Sequence, residues 1–501
     1  MTERSQRLLC RKETGGNRLT SEQTLPFFSL SEILNATGGR LIRGSTTGDF
    51  HGISTDSRQI GQGCLFIPLR GEKYDGHDFL TAAVRQGAAG VLLQKDFQTR
   101  LPVWGEAVSV ILVEDTLTAL GDIAHARRKK IKARVLAITG SSGKTTTKEM
   151  VAGIAELAFN VAKTQGNFNN LVGVPMTLLN LRARYDVLIL ELGTNRRGEI
   201  ERLTRIAEPD IGLITNIGPA HLAGLKSLDI VREEKCDLIR NMSSSGIAVI
   251  NGDDEALKTF GSLHDGRKIT FGFSPDVDVA AENIVGLGRH GIKFILRLRE
   301  RRQEINLSAT GEHNIYNALA AAASSWALGI EQTVISQGLT AFKPVSGRME
   351  ILPLKNGAFI INDTYNANPA SVREALKTLN FLRENHHSTV IMGDMLELGD
   401  HADQMHEDIG RLMADTGVGT IFLRGRLSQA TAAGATKRHM PQERIFHFET
   451  KEEVIKPLKQ ILKKGDWILV KGSRLMMMEE IVRAIVDEFG ADDNQGAKEN
   501  R

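Results

Sequence analysis

The stretch Val135-Leu136-Ala137-Ile138-Thr139-Gly140-Ser141-Ser142-Gly143-Lys144-Thr145-Thr146-Thr147 passes from an apolar run into a glycine-rich turn that ends in Gly-Lys-Thr. This order is typical of a buried strand, a phosphate-binding loop and a helix. Glycines let backbone N–H groups converge on phosphate oxygens, and the helix N-terminus adds a partial positive charge. We therefore predict that a nucleoside triphosphate binds at Gly140, Ser141, Ser142, Gly143, Lys144, Thr145 and Thr146.

The loop departs from the general P-loop pattern at one position. That pattern has a glycine where Ile138 stands, and here the first glycine is Gly140. Lys144 is placed to neutralise the β and γ phosphates, and the Thr145 hydroxyl can hold Mg²⁺. The alternative is a tight strand-to-helix turn without a ligand, and it does not account for the lysine and hydroxyls that accompany the glycines.

The composition indicates an ordinary globular protein. A length of 501 residues suits about three domains of about 150 residues each. A formal net charge of +3, without a concentrated basic stripe, gives no reason to expect nucleic acid as a partner and favours small anionic ligands. We expect a monomer.

The cysteines and the apolar runs bear on the compartment. Cys10, Cys64 and Cys236 are scattered without metal-type spacing, which indicates a reducing environment. No apolar run approaches the ~18 residues of a membrane span, and the N-terminus lacks the apolar segment of a signal peptide. We expect a cytoplasmic protein with no membrane span.

Apolar strands alternate with helical sequence along most of the chain, which predicts an α/β fold with mostly parallel sheets in three domains. Gly286-Leu287-Gly288, with Gly291, precedes a strand instead of opening a helix, so we interpret it as a hairpin turn. The predicted strands are 64–69, 90–93, 186–191, 211–216, 247–251, 292–298, 358–362, 389–392, 420–423 and 467–470, and the predicted helices include 78–86 and 116–132. The predicted division is a basic tail at 1–24, an N-terminal domain at 25–116, a central ATP-binding domain at 117–345, a Rossmann-like C-terminal domain at 346–490 and a tail at 491–501.

Ligands of open α/β sheets bind at the carboxyl ends of strands. Glu191 ends a predicted strand, and a carboxylate beside a P-loop is the expected Mg²⁺ ligand, although a capping or ion-paired glutamate is the alternative. His221 follows the next strand and could equally be a hydrogen-bonding loop residue. Lys235, taken alone, is typical of a solvated helix face.

Several motifs in order resemble the Mur ligases, the ATP-dependent amide-forming enzymes of peptidoglycan precursor synthesis. They are residues 139–146, Glu191-Leu192-Gly193, the loop 216–221 and residues 311–318. Within that family, residues 69–79, 363–369 and 393–399 are most similar to the members that add D-alanyl-D-alanine. A relative that adds diaminopimelate or lysine would have a histidine-bearing stretch at 366–369.

The resemblance implies a small N-terminal domain for the UDP moiety, a central ATPase domain and a C-terminal ligase domain. It implies that the carboxylate of UDP-MurNAc-tripeptide attacks the γ-phosphate of ATP, and that the amine of D-Ala-D-Ala then attacks the acyl phosphate. Thr145 and Glu191 would hold one Mg²⁺, and Glu191, His221 and a Lys235 carbamylated by CO₂ would hold a second. Lys144, His221, Lys235 and Arg348 would be catalytic, with Arg348 at the γ-phosphate; an exposed hinge arginine is the alternative.

The resemblance also implies binding residues. His313, Asn314 and Asn317 resemble the adenine-recognition motif, although Asn314 could instead be a helix N-cap. The remaining assignments are Asp363 and Arg348 for ATP, Ser57 and Arg70 for the UDP moiety, Asn169 and Asn170 for substrate, and Asn366, Asn368, Ser473 and Arg474 for the dipeptide. Turn-forming roles remain the alternative for the loops at 163–170 and 54–71.

Three other functions stay open. A sibling ligase could add a diamino acid to the UDP-dipeptide, and a folylpolyglutamate-type ligase shares the general chemistry. A nucleotide-dependent switch would use the same P-loop without making an amide bond.

Overall fold

The computed structural model describes residues 27–100, 104, 107–261 and 264–492. The predicted N-terminal tail, Cys10 and residues 493–501 of the predicted C-terminal tail lie outside this part of the chain. The described residues form two compact units. The first contains the described residues up to Ala126 together with Leu178–Arg184. The second contains Arg127–Thr177 and the described residues from Tyr185 onward. None of the helices described is at once long and apolar enough to cross a lipid bilayer.

The first unit contains a five-stranded sheet of order β2-β7-β6-β5-β4 and a separate antiparallel pair, β1 with β3. Its strands are β1 (Phe28–Ser29), β2 (Arg40–Arg43), β3 (Asp49–Phe50), β4 (Ile53–Ser54), β5 (Leu65–Phe66), β6 (Gly90–Gln94) and β7 (Ser109–Val113). Its helices are α1 (Leu30–Thr37), α2 (Leu80–Arg85) and the start of α3 (Thr116–Lys130). Phe66, Leu80, Val91 and Val110 form its core, against which Trp104 packs.

The second unit begins with a nine-stranded sheet of order β16-β15-β14-β13-β12-β11-β8-β10-β9. All neighbouring strands from β9 to β14 in this order pair parallel, and the pairs β14–β15 and β15–β16 are antiparallel. The strands are β8 (Arg134–Thr139), β9 (Val161–Lys163), β10 (Val187–Glu191), β11 (Ile211–Ile214), β12 (Ile247–Asn251), β13 (Arg267–Gly272), β14 (Val279–Gly286), β15 (Ile292–Leu298) and β16 (Arg301–Leu307). The helices are α4 (Lys144–Ala155), α5 (Gly173–Leu179), α6 (Glu199–Ala207), α7 (Leu222–Leu225), α8 (Leu228–Arg240), α9 (Glu255–Gly261), α10 (Glu312–Ala327) and α11 (Gln332–Ala341).

Strand β8 lies inside this sheet, between β11 and β10, which explains its unbroken apolar sequence. Parallel strands that helices cover on both faces have no polar side. Residues 135–139 are all buried, and the alanines at 318 and 320–323 let helix α10 approach the sheet closely. Trp326, near the end of α10, packs against this core.

A six-stranded sheet of order β17-β18-β22-β19-β20-β21 follows in the second unit, antiparallel only at β17. Its strands are β17 (Glu350–Pro353), β18 (Phe359–Asp363), β19 (Ser388–Gly393), β20 (Thr420–Arg424), β21 (Ile445–His447) and β22 (Trp467–Lys471). Its helices are α12 (Pro369–Arg383), α13 (Ala402–Asp415), α14 (Ser428–Lys437), α15 (Glu452–Ile461) and α16 (Glu479–Phe489). Trp467 belongs to its core.

The predicted α/β class and mostly parallel sheets are confirmed. The hairpin interpretation of Gly286 to Gly291 is also confirmed, because β14 and β15 pair antiparallel on either side of it. The prediction of a strand over 64–69 is wrong in extent, since only Leu65–Phe66 pairs with its neighbours. Ile67 N still donates a hydrogen bond to Ser54 O at 2.9 Å, and burial continues through Pro68, so the apolar run indicates burial beyond the paired strand.

Candidate active site

The glycine-rich turn requires its glycines for steric reasons. Gly140 has φ +146° and Gly143 has φ +79°, in the region that side chains with a Cβ rarely adopt. A Cβ on Gly140 would collide with Thr215 Oγ1, and one on Gly143 would collide with Asn317 Oδ1. Helix α4 begins directly after Gly143, so its first N–H groups point into the turn.

A second loop, after β11, holds the turn in shape. Asn216 Oδ1 accepts hydrogen bonds from Ser142 N at 3.0 Å and Ser142 Oγ at 3.2 Å. Ser141 Oγ donates to Gly218 O at 2.8 Å, and Thr215 Oγ1 donates to Ser142 O at 2.6 Å. The sequence analysis quoted Asn216 within a motif but gave it no role. Its place at the carboxyl end of the predicted strand 211–216 was the available signal.

Thr145, Glu191 and Arg348 meet at the mouth of the turn. Thr145 Oγ1 donates to Glu191 Oε2 at 2.8 Å and accepts a hydrogen bond from Arg348 Nη2 at 2.7 Å. The Arg348 guanidinium carbon lies 3.9 Å from the centre of the Tyr365 ring, and its Nε is enclosed. Arg348 is therefore not an exposed hinge arginine.

A buried lysine that the sequence analysis did not consider lies beside Glu191. Lys148 is fully buried on α4; its Nζ donates to Thr164 O at 2.8 Å and lies 3.6 Å from Glu191 Oε2. Burial favours the neutral form of Glu191, but Lys148, Lys144 and Arg348, together with the Asn169 amide, hold the pKa of this carboxyl below its usual value. Glu191 is therefore an anion available to a cation.

Lys144 and Asn169 complete this region. Lys144 Nζ donates to Gly140 O at 2.7 Å, and burial lowers the pKa of its ammonium group. Asn169 Nδ2 donates to Glu191 Oε1 at 2.9 Å. Asn170 Oδ1 accepts from the backbone N–H groups of residues 172 and 173, so it caps the entry to helix α5.

His221 has a partner from the six-stranded sheet. Its Nδ1 lies 2.7 Å from Glu397 Oε2, and its backbone adopts φ +56°. This hydrogen bond is the main cause that lowers the pKa of Glu397. Lys235 is almost completely buried on α8, and burial, reinforced by the charge of Lys144, shifts the pKa of its ammonium group well below the usual value.

Two of the predicted metal ligands are in direct contact. Thr145 and Glu191 are in contact, whereas His221 pairs with Glu397. Among residues 27–100, 107–261 and 264–492, no three or more His, Cys, Asp and Glu side chains are grouped as in a metal site. The predicted second Mg²⁺ ligand set stays a prediction.

Helix α10 presents its first turn to the same region. Its N-cap is Gly311, so the alternative interpretation of Asn314 as the N-cap is wrong. Asn314 Nδ2 donates to Thr310 O at 2.7 Å, and Asn317 Nδ2 donates to Asn314 Oδ1 at 3.0 Å. Each amide keeps one further N–H for a ligand. His313 lies on the same turn.

The other wall comes from the six-stranded sheet. Asp363 Oδ2 pairs with Lys471 Nζ, and Lys471 Nζ also donates to Asn366 O at 3.0 Å. Asn368 Oδ1 accepts from the backbone N–H of residue 371 and so acts as the N-cap of α12. This capping role uses Oδ1 of Asn368 and does not involve its Nδ2 group.

The two predicted residues of the 471–474 turn differ in exposure. Ser473 is buried, and its Oγ accepts from Leu396 N at 2.8 Å and donates to Ala367 O at 3.3 Å. Arg474 is half exposed, pairs with Glu479 at 2.8 Å and lines the cavity described next. Ser473 is not among the residues found to line it.

One cavity of about 540 Å³ lies between these walls. Every predicted residue of the second unit lines it except Gly140, Lys235 and Ser473. The lining set is Ser141, Ser142, Gly143, Lys144, Thr145, Thr146, Asn169, Asn170, Glu191, His221, His313, Asn314, Asn317, Arg348, Asp363, Asn366, Asn368 and Arg474. Ser57 and Arg70 belong to the first unit, where Ser57 is buried and Arg70 pairs with Asp75 at 2.9 Å and Asp96 at 2.8 Å.

Comparison with known proteins identifies the family. The Mur ligase middle domain matches residues 138–325, the Mur ligase glutamate ligase domain matches residues 347–474, and the domain described as Mur ligase family, catalytic domain, matches residues 49–128. A MurF structure from Acinetobacter baumannii has a TM-score of 0.83 at 32% identity and covers 93% of this chain and 100% of its own. MurF from Thermotoga maritima, solved in complex with ADP, has a TM-score of 0.78 at 26% identity and covers 87% and 97%.

A curated relative agrees with these structures. UDP-N-acetylmuramoyl-tripeptide–D-alanyl-D-alanine ligase of Bacillus subtilis is 36% identical over 437 residues, which are 87% of this chain and 93% of the relative. Because this identity extends over nearly the whole of both sequences, the chain belongs to the Mur ligase family.

Proposed function

We propose that this protein joins D-alanyl-D-alanine to UDP-N-acetylmuramoyl-tripeptide and converts ATP to ADP and phosphate. The observation that carries the proposal is one cavity that combines a phosphate-binding turn, Arg348 and a polar wall from a second sheet. Relatives that carry this name match nearly the whole chain, which favours this reaction over that of the sibling ligase.

The residues fit ATP. Gly140 and Gly143 let the turn pack against Thr215 and Asn317, where a Cβ would collide, and the N–H groups at the start of α4 suit phosphate oxygens. Lys144 supplies the positive charge. Asn314 and Asn317, already fixed by hydrogen bonds, each offer an N–H or carbonyl group to the adenine edge.

The donor set also fits Mg²⁺. This ion takes one or two carboxylates together with phosphate oxygens and waters, and Thr145 Oγ1 and Glu191 lie in hydrogen-bond contact. Bound there, Mg²⁺ would neutralise charge on the transferring phosphate. We propose a second ion held by Glu191, His221 and Lys235, for which Lys235 must become a carbamate. His221 can keep Nδ1 on Glu397 and offer its other ring nitrogen, Nε2, to the ion. The buried, readily deprotonated Lys235 amine is suited to react with CO₂.

In the first step, a tripeptide carboxylate oxygen attacks the γ-phosphorus, the bond to the β-phosphate oxygen breaks, and ADP leaves. Both reactants are anions, so Lys144 and Arg348 act by stabilising the negative charge in the transition state. In the second step, the neutral dipeptide amine attacks the acyl carbon, the bond from that carbon to the phosphate oxygen breaks, and phosphate leaves with the proton that the nitrogen loses. Enclosure of the acyl phosphate between two domains would exclude water.

The remaining assignments complete the proposal. Ser57 and Arg70 would contact the UDP moiety, and Asn169 and Asn170 the substrate near the phosphate. Asn366, Asn368 and Arg474 would face the dipeptide, with Ser473 supporting the turn beneath them. The domains would span 25–116, 117–345 and 346–490, in a monomeric cytoplasmic enzyme.

The test is phosphate release from ATP and Mg²⁺ in the presence of UDP-MurNAc-tripeptide, with and without D-Ala-D-Ala. We expect phosphate release only when UDP-MurNAc-tripeptide and D-Ala-D-Ala are both present. A parallel reaction contains UDP-MurNAc-dipeptide with lysine or meso-diaminopimelate. Turnover in that reaction alone would assign the sibling step, and turnover independent of any acceptor would indicate a nucleotide-dependent switch.

A further inference from the structure

His221 ends a loop that is fixed to the phosphate-binding turn. Ser141 Oγ, in the turn, donates a hydrogen bond to Gly218 O at 2.8 Å and accepts one from Gly218 N at 2.9 Å. Gly218 and His221 belong to the same short loop after β11, and the His221 ring lines the cavity together with the turn. One side of the ring is therefore tied to the phosphate end of the cavity.

The other side of the ring contacts Glu397, which lies between β19 and α13 of the six-stranded sheet. Glu397 Oε2 is 2.7 Å from His221 Nδ1, and the backbone oxygen of Glu397 accepts a hydrogen bond from Ala223 N at 2.9 Å. Met405 of α13 packs against an apolar cluster formed by α7 and α8. A side-chain bond, a backbone bond and an apolar contact thus join the two loops.

The loop that carries Glu397 is anchored in turn to residues 471–474. Leu396 N donates to Ser473 Oγ at 2.8 Å, and Ser473 N donates to Asp394 O at 3.1 Å. Arg474, in the same turn, lines the cavity on the side that the proposed function gives to the dipeptide. Direct contacts therefore run from the phosphate-binding turn through His221 and Glu397 to the acceptor side.

The backbone is unusual at both members of the central pair. His221 has φ +56° and Glu397 has φ +65°, a region that residues with a Cβ seldom adopt. Such conformations persist where the surrounding contacts impose them, and they are concentrated at functional sites. Because the Glu397 side chain is 55% exposed, the ion pair itself adds little stability. What the pair provides is a fixed orientation of the His221 ring.

A carboxylate only accepts hydrogen bonds, so Glu397 keeps a proton on His221 Nδ1 and leaves Nε2 as the nitrogen available to a ligand. We propose that Glu397 is a positioning residue for phosphate transfer, which acts through His221 although it belongs to the acceptor side. This inference rests on the proposed function. Its consequence is that the acyl phosphate forms only while the six-stranded sheet is in place to use it.

The first test measures acyl phosphate formation from ATP and UDP-MurNAc-tripeptide, captured by hydroxylamine as the hydroxamate. No dipeptide is present, so an effect on dipeptide binding cannot change the result. Removing a partner that orients a ligand histidine costs about 10–100-fold, and we expect that loss in Glu397→Ala. Glu397→Gln keeps an acceptor oxygen for Nδ1 and should recover most of the rate. Asp400→Asn, an exposed acid that follows in the same loop, is the control and should match the unmodified protein.

A double-mutant cycle shows whether Glu397 acts through His221. In a protein that already carries His221→Ala, Glu397→Ala should change hydroxamate formation by less than about twofold. An equal loss with and without His221 would overturn the inference, as would an undiminished rate in Glu397→Ala. Thermal unfolding of each variant checks that the fold persists.

Nitrogen NMR of the histidine rings gives a readout that needs no turnover. The signals of His221 are assigned by their loss in His221→Ala. We expect a protonated Nδ1 in the unmodified protein and a shift of that proton towards Nε2 in Glu397→Ala. If the unmodified protein forms no hydroxamate, the proposed function fails, and the nitrogen shifts alone decide the role of Glu397. Identical shifts in the two proteins would show that Glu397 does not position the ring.

Discussion

Arg348 Nη2 donates a hydrogen bond to Thr145 Oγ1 at 2.7 Å, although the two residues lie far apart in the sequence. Arg348 precedes the six-stranded sheet, and Thr145 begins the helix after the phosphate-binding turn. The Tyr365 ring beneath the guanidinium fixes its plane. A cation from the third predicted domain is therefore already oriented at the phosphate end of the cavity.

Arg348→Ala should reduce kcat by about 10²–10³-fold, because one preorganised charge at the transferring phosphate is worth that much. Arg348→Lys should restore part of the rate but not the stacked, planar geometry. Steady-state kinetics with all three substrates measure the effect, and thermal unfolding checks that the fold persists. An unchanged kcat in Arg348→Ala would remove this residue from the catalytic set.

Gly143→Ala should abolish nucleotide binding, since its Cβ would collide with Asn317 Oδ1 in a backbone conformation with φ +79°. The matched control is Gly153→Ala on the same helix α4, where a Cβ would meet no atom within 4 Å. That control should bind nucleotide normally and gain up to about 1 kcal/mol in the free energy of unfolding. Calorimetric titration with ADP compares them, and equal affinities would contradict the steric argument.

Lys148→Met should lower the free energy of unfolding by about 3–5 kcal/mol, because it leaves the Glu191 carboxylate buried without its nearest cation. Adding Glu191→Gln should recover much of that loss, so the double-mutant cycle should give a clear coupling energy. Urea denaturation measures each variant. The exposed pair of Arg205 with Glu201 is the control, and its cycle should give less than about 0.5 kcal/mol. Independent effects of Lys148→Met and Glu191→Gln would show that the two groups do not interact.

Cys236 should resist alkylation in the folded protein. Its side chain is 1% exposed, and burial raises the pKa of the thiol to about 12, so the reactive thiolate is scarce at pH 8. Because the folded pKa exceeds the unfolded value of about 9, this thiol should also make stability fall as pH rises from about 9 to about 12. Mass spectrometry after iodoacetamide treatment, with and without urea, tests the first expectation. Modification at equal rates in both conditions would refute it.

The sequence predicted the parts of the fold whose signals are local. The phosphate-binding turn and β8, β10, β11 and β12 follow from apolar runs and glycines next to each other in sequence. The central sheet order, with β8 between β10 and β11, was not predictable in this way, because it depends on which strands meet after folding.

The candidate site likewise has residues that local sequence signals predict and residues that only the folded structure reveals. Lys144, Thr145 and Glu191 were found from motifs, since their spacing follows from the strand and turn that carry them. Lys148 received no role, because a lysine one turn along a helix is usually solvated, and only the packed structure reveals its burial next to Glu191. Glu397 was quoted within a motif, but its contact with His221 joins residues 176 positions apart.

The three tryptophans of the sequence are divided evenly, with Trp104 packed against the core of the first unit, Trp326 against the nine-stranded core and Trp467 within the six-stranded core. The cores of the five-, nine- and six-stranded sheets therefore each have their own intrinsic fluorophore. Variants that keep one tryptophan at a time would report on the unfolding of each core and would show whether the cores melt together. Ligand titrations followed by their emission would also distinguish nucleotide loading from dipeptide loading without an attached dye.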